Sequence, residues 1–158
     1  MMTASNNTEN TQVSKSIIQT TRFGELEINA DKIITLTSPF LGFPSSLQFV
    51  LIPHSEDSAF WWLQAVDNPD LAFVVIRPSI ITPHYQPEIP LTLFQELQAE
   101  NHEEVELLAI LTIPQGNPKA MTANLLGPVA LNATKLLAKQ ILLDPNQYSA
   151  CWPVFQQD

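Results

Sequence analysis

The chain is short of cysteine, glycine and positive charge. Its 158 residues hold one cysteine, Cys151, so no disulfide can form within the chain and no zinc site can rest on thiolates. Four glycines are scattered along it, too far apart for a loop that cradles phosphate on successive backbone N–H groups. Seven Lys and Arg face sixteen Asp and Glu, a formal net charge of −9. Direct binding to nucleic acid needs clustered cations, which this balance does not supply. A basic protein partner suits it better. No segment approaches the roughly 20 apolar residues of a membrane-spanning helix. Residues 1–16 are polar, lack the apolar stretch of a secretory signal, and read as a disordered tail. The expected location is the cytoplasm.

Catalytic patterns are also missing. His54, His84 and His102 are far apart, with no His-x-His or His-Glu-x-x-His spacing for a metal. His54, Ser55 and Asp57 are near neighbours on an extended chain, so their side chains diverge and cannot relay a proton. There is no Gly-x-Ser-x-Gly elbow. Cys151 has no adjacent base to lower its pKa. Glu103 and Glu104 sit in a polar stretch, which does not raise a carboxyl pKa. The sequence therefore predicts no enzyme, no metal and no cofactor.

What the chain does have is a core and many turns. Hydrophobic residues make up 45% and prolines number 13, a composition that favours short strands with defined turns. Strands are expected over residues 17–22, 25–28, 33–36, 47–52, 60–66, 71–76, 107–113, 125–131 and 136–143, opening as a meander. Asn68-Pro69-Asp70 joins two of them, with Asn opening the turn and Pro fixing φ at its second position. The best helix candidate starts at Thr92 as cap, with Leu93, Phe94 and Leu97 on one face, and ends near Glu100. Pro83, Pro87 and Pro90 keep the preceding stretch out of a central ladder. The expected fold is all-β and mainly antiparallel. It is a single small barrel-like or sandwich domain over residues 17–150, with one or two short helices and an irregular tail over 151–158.

Charge is unevenly spread. No Lys or Arg lies between Arg77 and Lys119, while Glu88, Glu96, Glu100, Glu103, Glu104 and Glu106 do. This is either a solvated acidic face or a docking surface for a basic partner. Trp61 and Trp62, adjacent on a strand, should face opposite sides, so one is either covered by another element or offered to a partner. Asn124, before an apolar run, either satisfies loop backbone groups or presents an amide at a binding rim.

Several blocks resemble one family. Gly24-Glu25-Leu26-Glu27-Ile28, Leu41-Gly42-Phe43-Pro44, Trp62 to Phe73, Met121 to Asn132, and Ala138 to Leu143 followed by Tyr148 occur in the order found in the flagellar assembly factor FliW family. Leu41 stands where Pro is more usual and Gly127 where Ala is. The family's Arg-x-Pro-Leu ending is replaced by Cys151-Trp152-Pro153-Val154. The resemblance implies a barrel without catalytic activity and two alternative partners. One is the carbon storage regulator CsrA, a basic RNA-binding dimer that represses flagellin translation; the other is flagellin. Binding CsrA would relieve repression, and accumulating flagellin would restore it. Glu96, Glu100, Glu103, Glu104 and Glu106, with Asp67 and Asp70 in the hairpin turn and Asn124 at a rim, are the candidate binding residues. For flagellin, an apolar groove or strand edge is expected. Two other readings are a flagellin chaperone with no role in translation, and a barrel holding a small apolar ligand.

Overall fold

The computed structural model describes residues 15–155. The tail expected over 1–16 lies outside them, except that Lys15 and Ser16 open the first strand. β1 (Lys15–Thr20) and β2 (Gly24–Asn29) form an antiparallel hairpin of their own. Gly24 takes the positive φ of 70° that its turn requires. β3 (Ile34–Leu36) does not continue this hairpin, so the expected opening meander is split in two.

Seven strands close a barrel. β3 pairs with β4 (Gln48–Pro53), then come β5 (Trp61–Ala65), β6 (Ala72–Ile76) and β7 (Val105–Thr112). From β7 the ring passes to β9 (Val129–Asn132) and β10 (Leu137–Gln140), and β10 returns to β3. All pairings are antiparallel except β3 with β10. Side chains alternate across each strand, so Phe49, Leu63, Ala65, Val75, Leu108, Val129 and Leu131 point inward and fill the barrel. Phe40 and Phe73 join them, with ring centroids 5.3 Å apart.

β7 is buried on both faces, which explains its nearly unbroken apolar run. Outward-facing Ile76, Ala109 and Leu111 pack under a second layer containing Ile81, Tyr85 and Val154. Outward-facing Leu107 and Ala130 pack under the helix α1 (Leu91–Glu96). That helix begins one residue before Thr92, with Pro90 as its cap, so Thr92 lies in the first turn instead of capping it. It stops in a Schellman turn: Ala99 N–H donates to the Phe94 carbonyl at 2.8 Å and Gln98 N–H to the Gln95 carbonyl at 3.1 Å. Gln98 takes the left-handed conformation (φ 58°) where glycine is usual.

β7 also shares one edge between two strands. Its second half pairs with β8 (Thr122–Ala123) and its first half with β9. Leu111 faces Ala123 and Leu108 faces Val129, so three steps along β7 match six on the opposing chain. The surplus bulges out around Leu125–Gly127. The apolar run expected as one strand over 125–131 is therefore strand only from Val129. The ending, expected to be irregular, contains β11 (Trp152–Pro153), paired with β8.

A buried amide ties α1 to the barrel. Asn132 Nδ2 donates to the Leu97 carbonyl at 2.9 Å, and its Oδ1 accepts from Thr134 N–H at 3.1 Å and Lys135 N–H at 3.3 Å. Asn132→Ala strands that buried carbonyl and is expected to lower stability by about 2 kcal/mol, read from the urea unfolding midpoint.

Candidate functional site

The hairpin turn at Asn68-Pro69-Asp70 is held from inside. Gln64 is fully buried, and its Nε2 donates to the carbonyls of Ala65 (3.1 Å), Leu71 (3.2 Å) and Asn68 (3.3 Å). Asp70 is engaged by a neighbour, because the Thr21 hydroxyl donates to its Oδ1. Thr21 N–H also donates to the Pro69 carbonyl at 2.9 Å, so the β1–β2 turn docks on the hairpin turn. Arg22 and Phe23 from that docked turn cover Trp62, with the guanidinium 4.0 Å from the ring centroid. Trp61 points the other way, to the barrel mouth. There it borders an opening of about 440 Å³ with Leu51, Leu131 and Leu136.

The predicted acidic residues do not form one surface. The register puts the turn carrying Asp67 and Asp70 beyond the Thr112 end of β7. Glu103 and Glu104 precede its Val105 end, and eight residues of strand separate the two by roughly 25 Å. Within the glutamate group, several carboxylates already have work. Glu104 Oε1 accepts from Glu100 N–H at 2.7 Å and Asn101 N–H at 3.2 Å, half of a capping box. Glu106 lies 3.4 Å from Arg77. Glu96 lies 2.9 Å from Lys139. The polar Thr37 hydroxyl close by and the Lys139 ammonium hold the Glu96 carboxyl below its ordinary range. Glu100 and Glu103 are exposed and make no ion pair among the described residues.

Asn124 organises the bulge beside β7. Its N–H donates to the Ile110 carbonyl at 2.9 Å, and its Oδ1 accepts from Leu126 N–H at 3.1 Å and Gly127 N–H at 2.8 Å. The loop-satisfying role is thus filled, and Asn124 also borders a groove. That groove, about 400 Å³, runs between Pro39–Leu41 and the chain following β10. A second groove of about 730 Å³ adjoins it along α1, and both are bordered by Gln140, Ile141 and Leu142. Gln140 cross-links the wall: its Nε2 donates to the Gly127 carbonyl at 3.0 Å and its Oε1 accepts from Leu41 N–H at 3.3 Å. A Cβ at residue 127 would meet that Nε2 at 3.1 Å, so glycine here leaves the amide its room.

Three leucines make this groove stand out. Leu41 (73%), Leu142 (71%) and Leu91 (70%) are the most exposed large apolar side chains among the described residues. Leu41 and Leu142 border the groove, and Leu91 lies between Pro90 and Thr92, which border its neighbour. Sequence reading missed this site because Leu142 sits in an apolar run expected as strand, while Leu41 and Leu91 lie beside turn-forming Gly42 and Pro90 and carry no signal that they meet. Only the three-dimensional divergence of two chains exposes them.

The site is that of a small closed β-barrel protein with a filled interior and an apolar, acid-edged groove on its outside. Comparison with known proteins gives the family. The pattern described as FliW protein matches residues 16–154. The flagellar assembly factor FliW of Magnetococcus marinus is 44% identical over 79% of this chain and 77% of its own. That of Geobacter sulfurreducens is 41% identical over 89% and 87%. A crystal structure of the flagellar assembly factor FliW superposes with a TM-score of 0.82 at 31% identity, covering 90% of this chain and 99% of that one. The chain belongs to the FliW family of flagellar assembly factors.

Tyr85 steadies the bulge from the outer layer, donating from its hydroxyl to the Leu125 carbonyl at 2.7 Å. Burial, and then nearby Tyr148, push its phenol above the ordinary value of about 10. A raised folded-state pKa means that this contribution is complete below pH 10 and is lost as pH climbs above it. Tyr85→Phe is expected to cost about 1 kcal/mol at pH 7 and to flatten the fall in stability above pH 10. Urea unfolding of both proteins from pH 8 to 11 checks this.

Proposed function

We propose that this chain is a non-enzymatic regulator that binds CsrA and, as an alternative, flagellin, so relieving repression of flagellin translation until flagellin accumulates. Family membership carries the reading, and the surfaces are consistent with it. A basic dimer would be steered by the net charge of −9. Glu100 and Glu103, whose carboxylates have no competing cation among the described residues, are the best placed of the predicted residues to meet it. Glu104 and Glu106 would contribute less, because a cap and Arg77 already occupy them. The apolar partner surface expected for flagellin has its best counterpart in the groove between Leu41 and Leu142.

The small-ligand reading is weaker, since aromatic and aliphatic side chains fill the barrel and the opening beside Trp61 lies at its mouth, bordered also by the charged Asp31 and Lys32. A chaperone acting on flagellin alone would share the groove and differ in not binding CsrA.

Calorimetric titration with the host's CsrA at low and moderate salt is the test. Binding that weakens with salt is expected. Glu100→Lys with Glu103→Lys should slow association about tenfold or more at low salt while leaving the unfolding midpoint unchanged. Absence of CsrA binding at both salts would leave flagellin chaperoning as the function.

A further inference from the structure

The groove exposes an unfinished sheet. Pairing of β3 with β10 is parallel, and β3 donates in steps of two: Thr35 N–H to the Leu136 carbonyl and Thr37 N–H to the Ala138 carbonyl, both at 2.9 Å. The next donor in register would be residue 39, a proline, which has no N–H. The chain leaves the sheet there. Its neighbour does not: Ile141 N–H donates to the Pro128 carbonyl at 2.9 Å and Leu143 N–H to the Leu126 carbonyl at 2.8 Å. The continuation of β10 is therefore extended and paired on one side. By strand alternation the N–H and C=O of Leu142 face the side that β3 vacated, and among the described residues no backbone group pairs with them.

An unpaired strand edge is a template for another strand, and proteins usually blunt it with charge. Here the central side chain is leucine, 71% exposed, with Leu41 across the groove. Carboxylates of Glu88, Glu96 and Asp144 border the adjoining groove, and Lys139, the one cation bordering it among the described residues, is held by Glu96 at 2.9 Å.

We propose that the edge at Leu142 docks an extended segment of a partner protein in which apolar residues alternate with Lys or Arg, added as a strand where β3 departs. Backbone bonds to Leu142 hold the segment whatever its sequence. Leu41 and Leu142 select apolar side chains on one face, and the carboxylates select basic ones on the other. This rests on the reading that the chain works by binding proteins, and it specifies the form in which a partner is held.

The test uses the full chain and a labelled ten-residue peptide alternating Val and Lys, followed by fluorescence anisotropy. Binding is expected. It should weaken at least tenfold when alternate peptide amides are N-methylated, and at least tenfold in Leu142→Asp, although that variant adds a negative charge. A side-chain-stapled helix of the same composition should bind at least tenfold more weakly. No binding of the peptide, indifference to N-methylation or to Leu142→Asp, or equal binding of the helix would each overturn the proposal. Leu142 is exposed, so an unchanged urea midpoint will verify that the variant folds. Wild-type chain is titrated in parallel with CsrA and flagellin. Binding to either while the peptide fails removes the strand-docking inference alone, and failure of all three removes the protein-binding reading with it.

Discussion

The architecture depends on a mismatch along one edge of β7. Three steps on this strand oppose six on the chain carrying β8 and β9, and the surplus must leave the ladder. The Asn124 amide makes that possible by satisfying the N–H groups of Leu126 and Gly127, which would otherwise lose their partners where the ladder breaks. Past the bulge, β9 reaches β10 and the ring closes. On the outside, the displaced loop becomes the support on which Ile141 and Leu143 pair, and hence one wall of the groove. Closure and groove are two consequences of the same insertion.

Much of the barrel could be read from residue order. The hairpin around Asn68-Pro69-Asp70 was legible because alternation and turn chemistry agree there, and Gln64 adds the buried amide that locks it. β7 was legible because a strand buried on both faces is apolar throughout. The run from Leu125 was not, since apolarity says that residues are buried without saying that they are strand. The break is signalled by Asn124, an Asx turn too common to stand out, and by Gly127-Pro128 inside the run, after which the strand starts at Val129. Helix α1 was found but misplaced at both ends: Pro90 outranks Thr92 as its start, and it stops at Glu96 instead of near Glu100 because the chain turns left-handed at Gln98.

The site was legible in part. Composition located the acidic residues, yet not their commitments: Glu104 to a cap, Glu106 to Arg77, Asp70 to Thr21. These pairings depend on which elements lie side by side, and single-sequence charge counting carries no such information. The groove was invisible for the same reason. That Pro39 ends a ladder shows only in the parallel register of β3 with β10. Leu142 reads as core until its neighbour strand is seen to leave.

The arrangement suits the two-partner regulation proposed for this chain. A diffuse acidic field suits fast encounter with a basic dimer, while an apolar groove with an open edge suits a slower, more specific hold on a second partner. Exchange between them is the proposed regulatory step. Its most direct measurement is to titrate host flagellin into a preformed complex of this chain with fluorescently labelled CsrA and follow the label by anisotropy and size-exclusion chromatography. The account predicts that flagellin releases free CsrA in proportion to the flagellin bound. A stable complex containing all three proteins, or flagellin that binds without displacing CsrA, would contradict it.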